Sequence, residues 1–284
     1  MKTAYAKKES AALRFLYKTI PGRILLKPLC SIAVSNLCGR FLDSKASKPL
    51  IGRFVCKYNI DLSDYYSDGF NSFNEFFSRK IKAHKRTINY EPSALIAPCD
   101  GLLSAYRITE NTVIPVKQSR YTIPSLLGGD PIAEKYKNGT CLVFRLCVND
   151  YHRYCYIDDG VKGENVFLPG KLHTVRPIAL EEYPVFTQNC REYTVIQTEN
   201  FGEVVQMEVG AMLVGKIRNY HGVGKVKRGE EKGMFLYGGS TVIVLLEEGK
   251  VRLPEDVYKS TERSIEIPVK MGEKIGDHVL SLTV

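Results

Sequence analysis

The stretch FLYGGSTVIVLLEE (Phe235–Glu248) sets two glycines and a hydroxyl residue directly before a hard apolar run. Thr241–Leu246 is an unbroken series of apolar or β-branched residues. Such a run, without polar alternation, reads as a strand buried on both faces or lying in a sheet closed upon itself. A turn accounts for Gly238 and Gly239, since glycine tolerates backbone geometries closed to other residues. It does not account for a serine at the junction.

Outward from that run the β character extends back to about residue 93. ALIAPCDGLLSAY reads as a short strand, a Pro/Asp/Gly turn and a second strand, and GTCLVFRLCV as another. REYTVIQTENFGEVVQMEVGAMLVGKI reads as a hairpin turning at Glu199–Gly202, its second arm running on past Gly210. Short strands at near-regular spacing predict a barrel or sandwich.

The first 90 residues differ. Leu13, Leu16, Tyr17, Ile20 and Ile24 fall on one helical face, with Arg14 and Lys18 off it. Pro21-Gly22 and Pro28 break or kink the pattern, and Leu25, Leu29, Ile32 and Ala33 continue a second apolar face. SFNEFFSRKIK opens with Ser72 and Glu75 at capping-box spacing. The predicted fold class is therefore α+β: an amphipathic helical region over residues 1–90, then a β-rich barrel- or sandwich-like core over 91–284.

Charge follows the same division. The formal net charge is +9, and residues 1–50 carry ten Lys/Arg against only Glu9 and Asp43. A basic arm with an apolar helical face suits an anionic phospholipid surface; packing on the protein's own core is the alternative. Nucleic acid is not expected, because the excess is confined to the arm and carries no recognised motif. No apolar run reaches the ~18 residues of a spanning helix, and basic residues interrupt every candidate signal core. The eight cysteines show no Cys-x-x-Cys or finger spacing, so reduced, mostly buried thiols and no metal site are expected.

Three loop-like clusters carry reactive groups: APCDG with Asp100, NDYHRYCYIDDG with His152, and GGST with Ser240. A carboxylate, an imidazole and a hydroxyl are the parts of an activated nucleophile. Each also has a plain reading, as a turn residue, a core histidine and an ordinary loop.

FNEFFSRKIK, APCDG, DYHRYCYIDDG, LPGKLHTVRPIA, MEVGAMLVGKI and KRGEEKGMFLYGGSTVIVLLE occur in that order between Phe73 and Leu246. Together they resemble the phosphatidylserine decarboxylase family; the preceding helices resemble it in character only. The resemblance implies a zymogen that cuts its own Gly239–Ser240 bond. Ser240 attacks the Gly239 carbonyl, an ester forms and is eliminated, and Ser240 becomes an N-terminal pyruvoyl group. That cofactor would form a Schiff base with phosphatidylserine and release phosphatidylethanolamine. The pieces 1–239 and 240–284 would stay together as a heterodimer, with a homodimer of such pairs left open. A peripheral location on the cytoplasmic membrane face is expected, with 1–90 docking and 91–284 catalytic.

One departure stands out. The family pattern Tyr-His-x-x-His credits its second histidine with self-cleavage and ties its first to decarboxylation. Here the first is His152 and the second position holds Cys155. Three accounts stay open. His152 serves both steps; Cys155, as a thiolate or through a water, or another group such as His173 or His221, replaces the base; or processing is impaired and the chain is a non-catalytic lipid-surface relative.

Overall fold

Thr241–Leu246 is apolar throughout because both of its faces are covered. The computed structural model describes residues 10–67, 69–109, 114–116, 119–211, 217–237 and 240–279. Gly238 and Gly239 lie outside them, as does most of the stretch beyond Gly210 in the predicted hairpin arm. The strands are β1 (Ala94–Ile96), β2 (Gly101–Arg107), β3 (Ile114–Val116), β4 (Ser119–Tyr121), β5 (Thr140–Leu146), β6 (Arg153–Cys155), β7 (Gly160–Leu168) and β8 (Arg191–Thr198). They continue with β9 (Glu203–Val209), β10 (Ile217–Asn219), β11 (Gly224–Val226), β12 (Glu231–Phe235), β13 (Ser240–Leu246), β14 (Val251–Arg252), β15 (Ile267–Val269) and β16 (Lys274–His278).

An eight-stranded antiparallel sheet runs β11-β7-β8-β9-β13-β5-β2-β15. Its centre is β13, pairing Ser240 with Leu146 of β5 and Thr241 with Val209 of β9. The two-residue period of a strand then divides the run. Ile243 and Leu245 enter one core cluster with Val143, Val205 and Met207. Val242, Val244 and Leu246 enter a second with Leu142, Phe144 and Val204. Each such side chain contributes about 1.5–3 kcal/mol by leaving water. The second face is covered by two three-stranded sheets, β1-β16-β14 and β10-β12-β6. Of the predicted alternatives the sandwich is the one found: β11 and β15 end the large sheet without pairing to each other.

Helices α1 (Ala11–Lys18) and α2 (Ile20–Leu29) pack on the first face, whereas α3 (Ile32–Asp43), α4 (Pro49–Tyr58) and α5 (Phe73–Phe77) form a separate cluster around Phe73, Phe76 and Phe77. The predicted single face over residues 13–24 is split by a turn at Thr19. Thr19 Oγ1 accepts from the Gly22 N–H at 3.1 Å and caps α2. Gly22 packs so closely on α1 that a Cβ there would lie 2.0 Å from the Phe15 carbonyl oxygen. Tyr17 is consequently buried, with Leu13 and Leu16 packed against the same core, whereas Ile20 and Ile24 are 77% and 63% exposed. The Ser72 cap of α5 forms, its Oγ accepting from the Glu75 N–H at 3.2 Å, but the Glu75 carboxylate accepts from Asn71 rather than returning to Ser72.

Candidate active site

Antiparallel pairing brings the start of one strand beside the end of the next. Asp100 precedes β2, β5 ends at Leu146, and β13 begins at Ser240, in three neighbouring strands. Leu102 pairs with Arg145 and Ser240 with Leu146. Gly101 is required there, since a Cβ would lie 2.9 Å from the Arg145 carbonyl oxygen. Residues 97–100, 147–152 and 236–237 thus lie towards one end of the large sheet. Val209 pairs with both Thr241 and Arg191, so residues 169–190, which lead into β8, reach the same end.

Side-chain alternation places Ser240 on the same face as Val242 and Val244, the face covered by β6 and β12. Ser240 is fully buried, and its Oγ has no hydrogen-bond partner among the described residues. An unmade hydrogen bond at a buried hydroxyl costs about 1–3 kcal/mol. His152, just before β6, is also fully buried. The Phe235 N–H donates to its carbonyl at 2.9 Å, tying His152 to the strand that leads towards Ser240. Its Nδ1 lies 2.9 Å from the Asp150 carbonyl oxygen. A carbonyl only accepts, so Nδ1 carries the proton and Nε2 is the free base. Nε2 is buried and has no partner among the described residues. Burial, reinforced by the Arg79 charge, drives the imidazole from its ordinary 6.5 down to about 3. His152 is therefore neutral at physiological pH.

Asp100 does not orient His152. Its carboxylate accepts from Arg86 Nε at 2.8 Å and Nη2 at 2.5 Å, from Lys270 Nζ at 3.3 Å and from the Met271 N–H at 2.9 Å. Burial pushes Asp100 upward, but Arg86, Lys270 and the Met271 amide outweigh it and hold the carboxyl below its ordinary range. Its charge nonetheless acts on both His152 and Cys155. Cys155 ends β6 beneath the same face, its N–H donating to the Pro98 carbonyl at 2.8 Å. Burial pushes its thiol up to about 12, so it remains a neutral thiol. No side-chain hydrogen bond joins any two of these four residues among the described contacts. Of the other candidate bases, His173 faces Tyr17 and Cys30, and His221 is engaged by Tyr156 and Glu230.

The family profile described as phosphatidylserine decarboxylase matches residues 73–277, a span that holds all four positions. The chain is 45% identical over 280 residues to phosphatidylserine decarboxylase proenzyme 2 of Clostridium acetobutylicum, covering 98% of this chain and 96% of that protein. The chain belongs to the phosphatidylserine decarboxylase family. It is also 42% identical over 247 residues to the phosphatidylserine decarboxylase proenzyme of Clostridium tetani, covering 85% and 83% of the two chains. That of Clostridium beijerinckii is 40% identical over 268 residues, covering 93% and 89%. The likeness to phosphatidylserine decarboxylases thus extends through the N-terminal helices, which in the motifs alone match only in character.

Several residues around the site were hidden inside motifs read for their helix caps and apolar faces. Phe77 lies 3.9 Å from the His152 ring and 5.1 Å from that of Tyr237, centroid to centroid, so it underlies both the imidazole and the segment before Ser240. Arg79 is buried, its guanidinium 4.3 Å from the Tyr65 ring and donating to the Asn149 and Asp150 carbonyls at 3.0 and 3.3 Å. It holds the loop that presents His152. A cleft of about 500 Å³ opens beside this end of the sheet, lined by Asp43, Asn74, Glu75, Arg218 and Leu236 among others.

Proposed function

We propose that this chain is a self-processing phosphatidylserine decarboxylase that cuts its own Gly239–Ser240 bond and forms phosphatidylethanolamine. The observation that carries the reading is that Ser240 Oγ and His152 Nε2, in segments that lie towards one end of the large sheet, are both buried and without a partner among the described residues. Nothing structural is gained from leaving both open, and a neutral imidazole with a free Nε2 can take a hydroxyl proton.

Ser240 Oγ attacks the Gly239 carbonyl while His152 Nε2 accepts its proton. The peptide nitrogen leaves as the amine, giving an ester. Loss of the Ser240 Cα proton with cleavage of the Cβ–Oγ bond frees the Gly239 carboxylate and leaves dehydroalanine. Water then displaces ammonia. Ser240 suits the pyruvoyl group so produced, because it heads a strand held on both sides. Once formed, that group supplies a carbonyl able to hold the electron pair left when a substrate carboxylate departs as carbon dioxide. Asp100, locked by Arg86, keeps negative charge near His152, and Cys155 lines the site as a neutral thiol. The 240–284 piece stays bound after the cut, since β13, β15 and β16 pair with β5, β2 and β1 of the other piece.

The membrane surface meets α2 and α3. Ile20, Ile24, Leu25, Leu37 and Phe41 are exposed there, interleaved with Arg23, Lys27 and Arg40. No single described helix is long and apolar enough to cross a membrane. The apolar row with its basic neighbours suits shallow insertion into an anionic lipid surface at the cytoplasmic face.

Intact mass measurement of purified protein tests the reading. The expected result is two chains, the smaller beginning at residue 240 and reacting with a carbonyl reagent. A single uncut chain in every molecule ends it. His152→Ala should block the cut and Cys155→Ala should leave it; the reverse result moves the base to Cys155.

A further inference from the structure

Asn74 lies in the first turn of α5, buried between the end of α3 and the segment that leads to Ser240. The Tyr237 N–H donates to its Oδ1 at 3.0 Å, and its Nδ2 donates to Asp43 Oδ1 at 2.8 Å. A backbone N–H can only donate and a carboxylate can only accept, so the amide has one workable orientation. The residue is itself held firmly. Its carbonyl accepts from the Ser78 N–H at 2.9 Å and the Ser78 hydroxyl at 2.8 Å. The neighbouring Phe73 N–H donates to Ser47 Oγ at 2.9 Å. Tyr237 is further fixed by its ring, 4.9 Å from Phe73 and 5.1 Å from Phe77.

Between Tyr237 and Ser240 stand only Gly238 and Gly239. Glycine is the residue with the most backbone freedom, so geometry at the Gly239 carbonyl must be imposed from the flanks. Strand pairing with Leu146 fixes the Ser240 flank. On the other flank the Tyr237 amide is fixed by Asn74. Attack of a hydroxyl on a carbonyl depends steeply on such alignment.

Resting on the reading that Gly239–Ser240 is the bond cut, we infer that Asn74 is a positioning residue for self-cleavage. With Asp43 it clamps Tyr237, three residues before Ser240. The clamp also ties the last residue of α3, a helix with exposed Leu37 and Phe41, to the segment that is processed.

The test follows conversion of freshly translated full-length chain into two pieces on a gel, with melting temperature measured alongside. Asn74→Asp keeps the shape and the acceptor for Tyr237 but sets a carboxylate against Asp43. Cleavage should slow by about tenfold or more at pH 8 and quicken as pH falls towards ~5, where the two carboxyls can share a proton. The exchange Asp43→Asn with Asn74→Asp restores one donor and one acceptor in place, and should return cleavage to within about threefold of wild type. A merely structural role would give neither the pH response nor the rescue. Asn74→Asp cleaving at the wild-type rate, or an exchange variant that melts normally yet stays as slow as the single variant, overturns the inference. Should Asn74→Asp not fold, Asn74→Ser carries the test, since its hydroxyl is too short to bridge both partners; wild-type cleavage in it overturns the inference equally. A wild-type chain that never splits removes the underlying reading instead.

Discussion

Two sets of buried polar groups lie beside the small sheet β10-β12-β6, and they are treated differently. Glu208 of β9 and Lys232 of β12 are both fully buried and meet at 2.6 Å, with Asn219 bonding to each. Ser240 and His152, no less buried, leave Oγ and Nε2 unpartnered among the described residues. A buried charge must be neutralised by a partner or it costs several kcal/mol. A neutral hydroxyl or imidazole costs less when left open and remains available to react. On the function proposed above, the first set is architecture and the second is chemistry.

Four measurements would break or sharpen that contrast. Ser240→Ala should abolish both the cut and decarboxylation while the uncut chain still folds and unfolds cooperatively in urea, since the deleted hydroxyl has no hydrogen bond to lose among the described residues. A variant that still splits would break the contrast at once. Glu208→Gln should behave oppositely, losing about 3–5 kcal/mol in urea unfolding by stranding a buried ammonium. Replacing both partners, Glu208→Met with Lys232→Met, should recover much of that loss.

The third measurement is a pH titration of stability. His152 is depressed from 6.5 to about 3 in the folded chain, so between those values the unfolded chain binds more protons. Stability is fully present above 6.5 and is lost as pH falls towards about 3. His152→Gln should flatten the part of that slope between pH 6.5 and 4.5, above the range in which the depressed Asp100 carboxyl contributes. An unchanged slope would mean that the imidazole is not held neutral by burial. The smallest effect is expected at the surface. Ile24→Ser with Leu25→Ser should shift unfolding by no more than about 0.5 kcal/mol, because both side chains are exposed. The same change should weaken binding to anionic vesicles severalfold in a flotation assay.

The strands were legible because period and composition are local. The apolar run after Ser240, the hairpin at Glu199–Gly202 and the strand pair around Asp100 all appear where their patterns put them. The N-terminal helices were legible as helices but not in their partners. The same apolar spacing suits lipid and core, and only the Thr19 turn and the Gly22 contact send Tyr17 inward and Ile24 outward.

The sequence by itself determined the reactive groups, the family motifs and the strands that carry them, since these depend on residue type and near spacing. Tertiary structure alone decided who meets whom. Asp100 is taken by Arg86 and Met271, His152 is oriented by the Asp150 carbonyl, Cys155 is buried as a neutral thiol, and Asn74 reaches across to Tyr237. The physical reason is that a hydrogen bond or a pKa is set by neighbours in space, and non-local strand pairing chooses those neighbours.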